Sequence, residues 1–179
     1  MRVFIILIFT AFTTGALAQC PKNPVISEEL DEAYRSLKFA KFPRDAQVAT
    51  DVLWSLWTRA PDNRAQRLLN RGMMNLRLGD LAAAEGFLSV LIKYCPDYAE
   101  GYNQRAFARY LAGNFEGALP DLARALSIQP RHLGALSGKG LTHLALGQPE
   151  LAEIEFRKEM ALNPFTADRD LIPNLGTDL

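Results

Sequence analysis

Along most of this chain the large apolar, small and turn-forming positions recur every 34 residues. Leu68, Tyr102 and Leu136 form one set of large apolar sites, and Leu88, Leu122 and Phe156 another. Gly72, Ala106 and Gly140 fall in register as a small site, and Ala84, Ala118 and Ala152 as a second. Gly79, Gly113 and Gly147 keep the same phase, as do Pro96, Pro130 and Pro164. A fixed period that carries all three residue classes marks stacked supersecondary units. The middle copy shows what one unit predicts. Tyr102, Arg105, Ala106, Arg109 and Tyr110 lie at helical spacing, and Gly113 supplies a left-handed stop. Asn114 then caps a second helix with Ala118, Leu122 and Ala125 on one face, and Pro130 ends it. The small Ala106 and Ala118 let the two helices approach closely. Neither helix can bury its apolar face alone, so neighbouring units must stack.

The order of a large apolar residue, Gly or Ala four later, Gly at the turn, then Ala, an aromatic residue or Leu, and Pro resembles the tetratricopeptide repeat (TPR). Three full copies cover residues 65–98, 99–132 and 133–166. The resemblance implies an all-α fold, a right-handed superhelix of antiparallel helix pairs. A fourth, degenerate copy is expected at the N-terminal end, within residues 19–63. There Ser27 precedes Glu28-Glu29, Leu30, Ala33, Tyr34, Leu37 and Ala40 keep helical spacing, and Phe42-Pro43-Arg44-Asp45 breaks the helix, with Asp45 placed to cap the next one. Ala49, Leu53, Leu56 and Pro61 repeat the offsets of the later copies. Trp54 and Trp57 are expected to pack between this pair and the first full repeat. Residues 167–179 follow the last repeat without a clear period.

Residues 1–18 differ in kind. Arg2 precedes a run of about ten apolar residues, too short to span a bilayer, and Ala16-Leu17-Ala18 is a small-x-small cleavage site ahead of Gln19. This predicts a secretory signal peptide and an exported, periplasmic protein. Gln19 stands where a lipoprotein signal would carry a small residue, so Cys20 is not read as a lipid-attachment site. Without the leader the chain holds 19 basic and 20 acidic residues. That balance argues against nucleic acid as a partner. No second apolar run is long enough to span a membrane.

Candidate chemistry is sparse. No nucleophile motif or phosphate-cradling glycine loop is present, and Gly134, Gly138 and Gly140 belong to a close-packed helix. The two histidines, His132 and His143, are far from Cys or acidic partners at ligand spacing, so neither a metal nor a cofactor is expected. The reading is therefore a non-enzymatic scaffold. By resemblance to the family, the concave face is lined by first helices. The sites fall on Leu69, Met73, Leu76 and Arg77, on Asn103, Gln104, Phe107, Tyr110 and Leu111, and on Ser137, Gly138, Leu141 and Leu144. These places are largely apolar, which does not support the carboxylate clamp of the family's chaperone-binding members. They suit an amphipathic helix or extended apolar segment of a protein or peptide partner. Self-association into a homo-oligomer is the alternative.

Cys20 and Cys95 are the only cysteines. In an antiparallel helix stack they fall at the same end of the solenoid, within reach across residues 20–27. Two readings stay open at this point: a disulfide, or a free buried Cys95 beside a loose Cys20.

Overall fold

The structure is a computed structural model and describes residues 19–22 and 26–172. The expected leader, residues 1–18, lies outside the described residues, as do residues 173–179. Among the described residues eight α-helices follow one another: α1 (Ser27–Lys38), α2 (Pro43–Trp57), α3 (Asn63–Leu78), α4 (Leu81–Tyr94), α5 (Ala99–Leu111), α6 (Phe115–Ile128), α7 (Leu133–Ala145) and α8 (Pro149–Leu162). They pack as antiparallel pairs, and each pair from α3 onward also packs on the next. A short 3-10 helix, Ala167–Leu171, closes against α8.

The repeat chemistry explains this geometry. Gly79, Gly113 and Gly147 have φ of 77°, 75° and 69°, the left-handed conformation that turns the chain from the first helix of a pair into the second. Asp80 and Asn114 then accept hydrogen bonds from Ala83 N and Gly117 N, capping α4 and α6. Inside each pair the small site faces a large side chain 16 residues later. A Cβ added to Gly72 would lie 2.6 Å from Leu88 Cγ, and one added to Gly140 would lie 2.3 Å from Phe156 Cε1. Polar contacts recur at the same separation. Arg105 forms a bidentate pair with Asp121 at 2.7 and 2.8 Å, Lys139 Nζ lies 2.9 Å from Glu155, and Arg71 lies 5.5 Å above the Phe87 ring. Burial pushes the Glu155 carboxyl up, but hydrogen bonds from Lys139 and Lys158 hold it below the ordinary carboxylate range.

The first pair is joined to the rest differently. Leu30, Ala33, Tyr34, Leu37, Ala46, Ala49, Leu53, Leu56 and Trp57 form one buried cluster, completed by Leu133 of α7 with Leu162 of α8 against it. Asp31 pairs with Arg131 at 2.5 Å, the Arg131 guanidinium sits 4.4 Å over the Tyr34 ring, and the Tyr34 hydroxyl donates to the Arg131 carbonyl. The pair thus docks on the α6–α7 connection. Asp45 does not cap α2, as its position had suggested. The helix begins at Pro43, so Asp45 falls inside the first turn, and no side chain caps this end. Proline explains the earlier start, because its fixed φ suits the first helical position and its missing N–H leaves nothing unsatisfied there.

At the other end Ile172 is buried with Ala152 and Phe156. Thr166 caps the 3-10 helix and its hydroxyl donates to Glu159 Oε1 at 2.8 Å. Glu159 is buried, and its Oε2 has no hydrogen-bond partner among the described residues. Burial pushes this carboxyl up to about 8, opposed by the Thr166 hydroxyl and reinforced by neighbouring Asp168.

Three substitutions test this packing. Gly140→Ala lowers the urea midpoint, by about 1–3 kcal/mol in stability, because Phe156 must shift to admit the methyl group. Gly86→Ala, with nothing within 4 Å of the new Cβ, instead raises stability by roughly 0.5–1 kcal/mol through helix propensity. Glu159 holds its proton more tightly in the folded chain than in the unfolded one. Its stabilising contribution is therefore complete below about pH 4.5 and is lost as pH rises to about 8. Glu159→Gln keeps the acceptor for Thr166 and removes the titration. The variant should gain on the parent across that window, by on the order of 1–3 kcal/mol at its upper end. Urea unfolding at a series of pH values measures this, and parallel curves for the two proteins would refute it.

Candidate partner-binding groove

The first helices α3, α5 and α7 lie side by side, and a groove runs along them with a cavity of about 480 Å³. Its apolar lining comes from five helices: Trp54 of α2, Met73 and Leu76 of α3, Ala106 and Phe107 of α5, Leu122 of α6 and Leu141 of α7. Met73, Phe107 and Leu141 are equivalent positions of the three repeats, so the period itself places them in a row. Phe107 is 49% exposed and Trp54 39%, large surfaces for aromatic side chains to leave in water. Arg77, Asn103, Gln104, Tyr110, Gly134, Ser137, Gly138 and Thr142 complete the wall, and no carboxylate among the described residues lines it. Arg77 makes no hydrogen bond or ion pair among the described residues.

Three expected positions do not reach this surface. Leu69 is fully buried in the core of the first full repeat, clustered with Leu88, Leu91 and Tyr98. An apolar side chain at that register sinks toward the second helix, whereas its equivalents Asn103 and Ser137 border the groove. Leu144 packs into the C-terminal cluster with Phe156 and Ile172. Leu111 stands exposed beyond the cavity.

Asn103 and Gln104 border the groove but do not offer their amide groups freely. Both are buried, and they donate to the two oxygens of Glu100, Gln104 Nε2 at 2.6 Å and Asn103 Nδ2 at 3.2 Å. Glu100 is itself only 1% exposed, and His132 Nε2 lies 2.9 Å from its Oε2. His132 Nδ1 accepts from Ala135 N at the start of α7, so Nε2 is the nitrogen that donates to Glu100. The same imidazole stacks on Trp57, with centroids 4.1 Å apart and planes 17° from parallel. Trp57 is thus buried against the junction of the second and third repeats. The Tyr98 hydroxyl donates to its carbonyl at 2.8 Å. Trp54 points instead into the groove, so the two tryptophans divide between packing and surface.

Sequence reasoning assigned no role to Glu100 and His132. The available signal was a departure from the repeat, since the positions equivalent to Glu100 are Gln66 and Gly134, and those equivalent to His132 include Tyr98. His143 hydrogen-bonds Gln148 Oε1 at 2.7 Å. Among the described residues no group of three or more His, Cys, Asp or Glu is arranged to hold a metal ion, and no helix is long and apolar enough to cross a membrane.

Cys20 and Cys95 are joined as a disulfide, with Cα atoms 5.1 Å apart and a sequence separation of 75. The bond ties the segment ahead of α1 to the end of α4, and it occupies the sulfur that a lipid thioether on Cys20 would require.

Helix pairs stacked at a fixed period, with a continuous groove along their first helices, define a helical-repeat scaffold. The chain belongs to the tetratricopeptide-repeat family. It is 33% identical over 156 residues to mouse tetratricopeptide repeat protein 36, spanning 85% of this chain and 76% of that protein. It is 28% identical over 142 residues to a TPR repeat-containing protein of Rhizobium etli, spanning 79% and 69%. No protein-family model matches the chain. Among solved structures, the first TPR domain of Spaghetti (RPAP3), bound to the HSP90 peptide SRMEEVD, superposes with a TM-score of 0.59 at 20% identity, covering 60% of this chain and 85% of that one. MamA superposes with a TM-score of 0.53 at 21% identity, covering 75% and 77%. At these identities the structural likeness speaks for the fold. TPR domains generally mediate protein–protein interaction, and proteins built of them are typically non-enzymatic scaffolds.

Closing a loop of this length makes the disulfide a substantial constraint on the unfolded chain. Cys20→Ser with Cys95→Ser should lower stability by about 4 kcal/mol on the chain-entropy model. Thermal unfolding with and without reductant measures the loss, and mass spectrometry of the unreduced protein should find no free thiol.

Proposed function

We propose that this protein is a non-enzymatic adaptor of the cell envelope that holds an apolar segment of a partner protein along the groove of its first helices. The observation that carries the reading is the composition of that groove. Trp54, Met73, Leu76, Phe107 and Leu141 face the cavity, while the neighbouring amides of Asn103 and Gln104 already donate to Glu100. Recognition then rests on apolar burial, with methionine adapting to the shape of what it meets. Arg77, unpaired among the described residues on a wall where none of them presents a carboxylate, favours a partner with an acidic residue at one end of its apolar stripe. An amphipathic helix or an extended segment of that kind fits.

The envelope location, most simply a bacterial periplasm, is supported by the leader-like pattern of residues 1–18 and by the pairing of the only two cysteines. Disulfides persist in oxidising compartments, and this one lies next to the expected cleavage site.

A photo-crosslinking amino acid at position 107 in the exported protein, followed by identification of adducts from whole envelopes, tests the reading. One dominant foreign adduct is expected, reduced at least about tenfold by Met73→Glu or Leu141→Glu, since each buries a charge at the centre of the contact. Adducts only to further copies of this chain would replace the adaptor with a homo-oligomer. Adducts that persist in both charged variants would remove the groove from the contact.

A further inference from the structure

The turn between α1 and α2 combines features that neither the fold nor the groove explains. Phe39 and Phe42 are 74% and 65% exposed. Lys38, Lys41 and Arg44 flank them, all three exposed and without an ion-pair partner among the described residues. Residues 38–44 contain no carboxylate, although the chain as a whole balances 20 basic against 20 acidic residues. Asp45 follows inside the first turn of α2.

Helix electrostatics account for only part of this charge. Lys38 ends α1, where a cation complements the helix dipole. Lys41 and Arg44 stand at the start of α2, the positive end of that helix, where cations are disfavoured. Their placement opposes the local field, so an external anionic surface gives it a purpose. The turn is also held in shape. Phe39 N donates to Arg35 O, Ala40 N to Leu37 O, and Asp45 N and Ala46 N both to Phe42 O. Ala40, between the two aromatic residues, packs against the buried cluster of the first pair. The rings are thus presented outward on a fixed turn, and little conformational freedom remains to be lost on contact.

We propose that the α1–α2 turn is a peripheral contact with an anionic lipid bilayer. Phe39 and Phe42 enter the boundary between headgroups and acyl chains, and Lys38, Lys41 and Arg44 meet the headgroup phosphates. Exposed aromatic residues among basic ones suit that interface, because it offers apolar depth and negative charge together. The contact is independent of the groove and of its partner.

Co-sedimentation of the full disulfide-bonded protein with lipid vesicles tests the assignment. The protein should sediment with phosphatidylcholine vesicles that contain phosphatidylglycerol, bind pure phosphatidylcholine far less, and be released by high salt. Phe39→Ser with Phe42→Ser should lower the partition at least about tenfold, and Lys41→Glu with Arg44→Glu by a similar factor. Leu78→Ser removes an equally exposed apolar side chain, 73% exposed, from another turn and should leave binding unchanged. In a Phe39→Trp variant, phosphatidylglycerol vesicles should shift the added emission to the blue, and brominated acyl chains should quench it. Equal partition of the parent and the double-serine variant, with both folded by circular dichroism, would overturn the proposal. So would failure to bind phosphatidylglycerol vesicles while binding soluble polyglutamate through the same basic residues, an outcome that assigns the turn to an acidic protein.

Discussion

A buried carboxyl group must be met by donors, and that requirement at Glu100 organises the centre of this molecule. Asn103 and Gln104 approach from the same helix, one turn on, while His132 reaches the carboxyl from the start of the next first helix. The histidine can serve Glu100 only with its other nitrogen turned to Ala135 N, which fixes the plane of the ring. A ring fixed in that plane gives Trp57 a flat surface on which to stack, and the N-terminal pair docks through that stack and through Arg131. One buried group thereby couples the second repeat, the third repeat and the first helix pair. The cluster also alters the groove, because it draws in two amides that a partner could otherwise have used.

Much of this architecture was legible because a repeat writes each neighbour contact three times. The glycines at positive φ and the small site under Leu88, Leu122 and Phe156 recur with the period, so position alone assigns them a structural role. Met73, Phe107 and Leu141 were legible as a row for the same reason. Their exposure was not, since period and hydropathy are the same for a covered face and an open one. The register also failed at Leu69. Its equivalents border the groove, but a leucine there gains more by entering the core with Leu88 than by facing solvent.

The docking of the first pair lay outside what periodicity can encode. Tyr34 and Asp31 meet Arg131 across about a hundred residues, and neither side of that contact is repeated. Glu100 and His132 were hidden in the same way, because each occurs once and neither is matched in the other copies. Breaks in the period are therefore informative here. Where a single copy carries a charged or imidazole side chain that the other copies lack, it marks a contact that serves one place in the molecule.

The exposed apolar residues now fall into two kinds, separated by their electrical surroundings. Those of the groove lie on a wall where the described residues present no acidic group and one unpaired cation, a setting for a complementary segment of defined shape. Those of the α1–α2 turn stand out on a convex tip among three cations, two of them placed against the dipole of the helix they precede or enter. A pocket recognises shape, whereas an anionic sheet of headgroups needs only charge and depth. The disulfide acts on the arm between them. By tying the segment ahead of α1 to the end of α4, it limits how far the first pair can swing from its dock. That pair also supplies Trp54 to the groove, so one rigid element carries the tip and a wall of the groove. A contact at the tip would then fix the orientation of the groove relative to the bilayer without entering it.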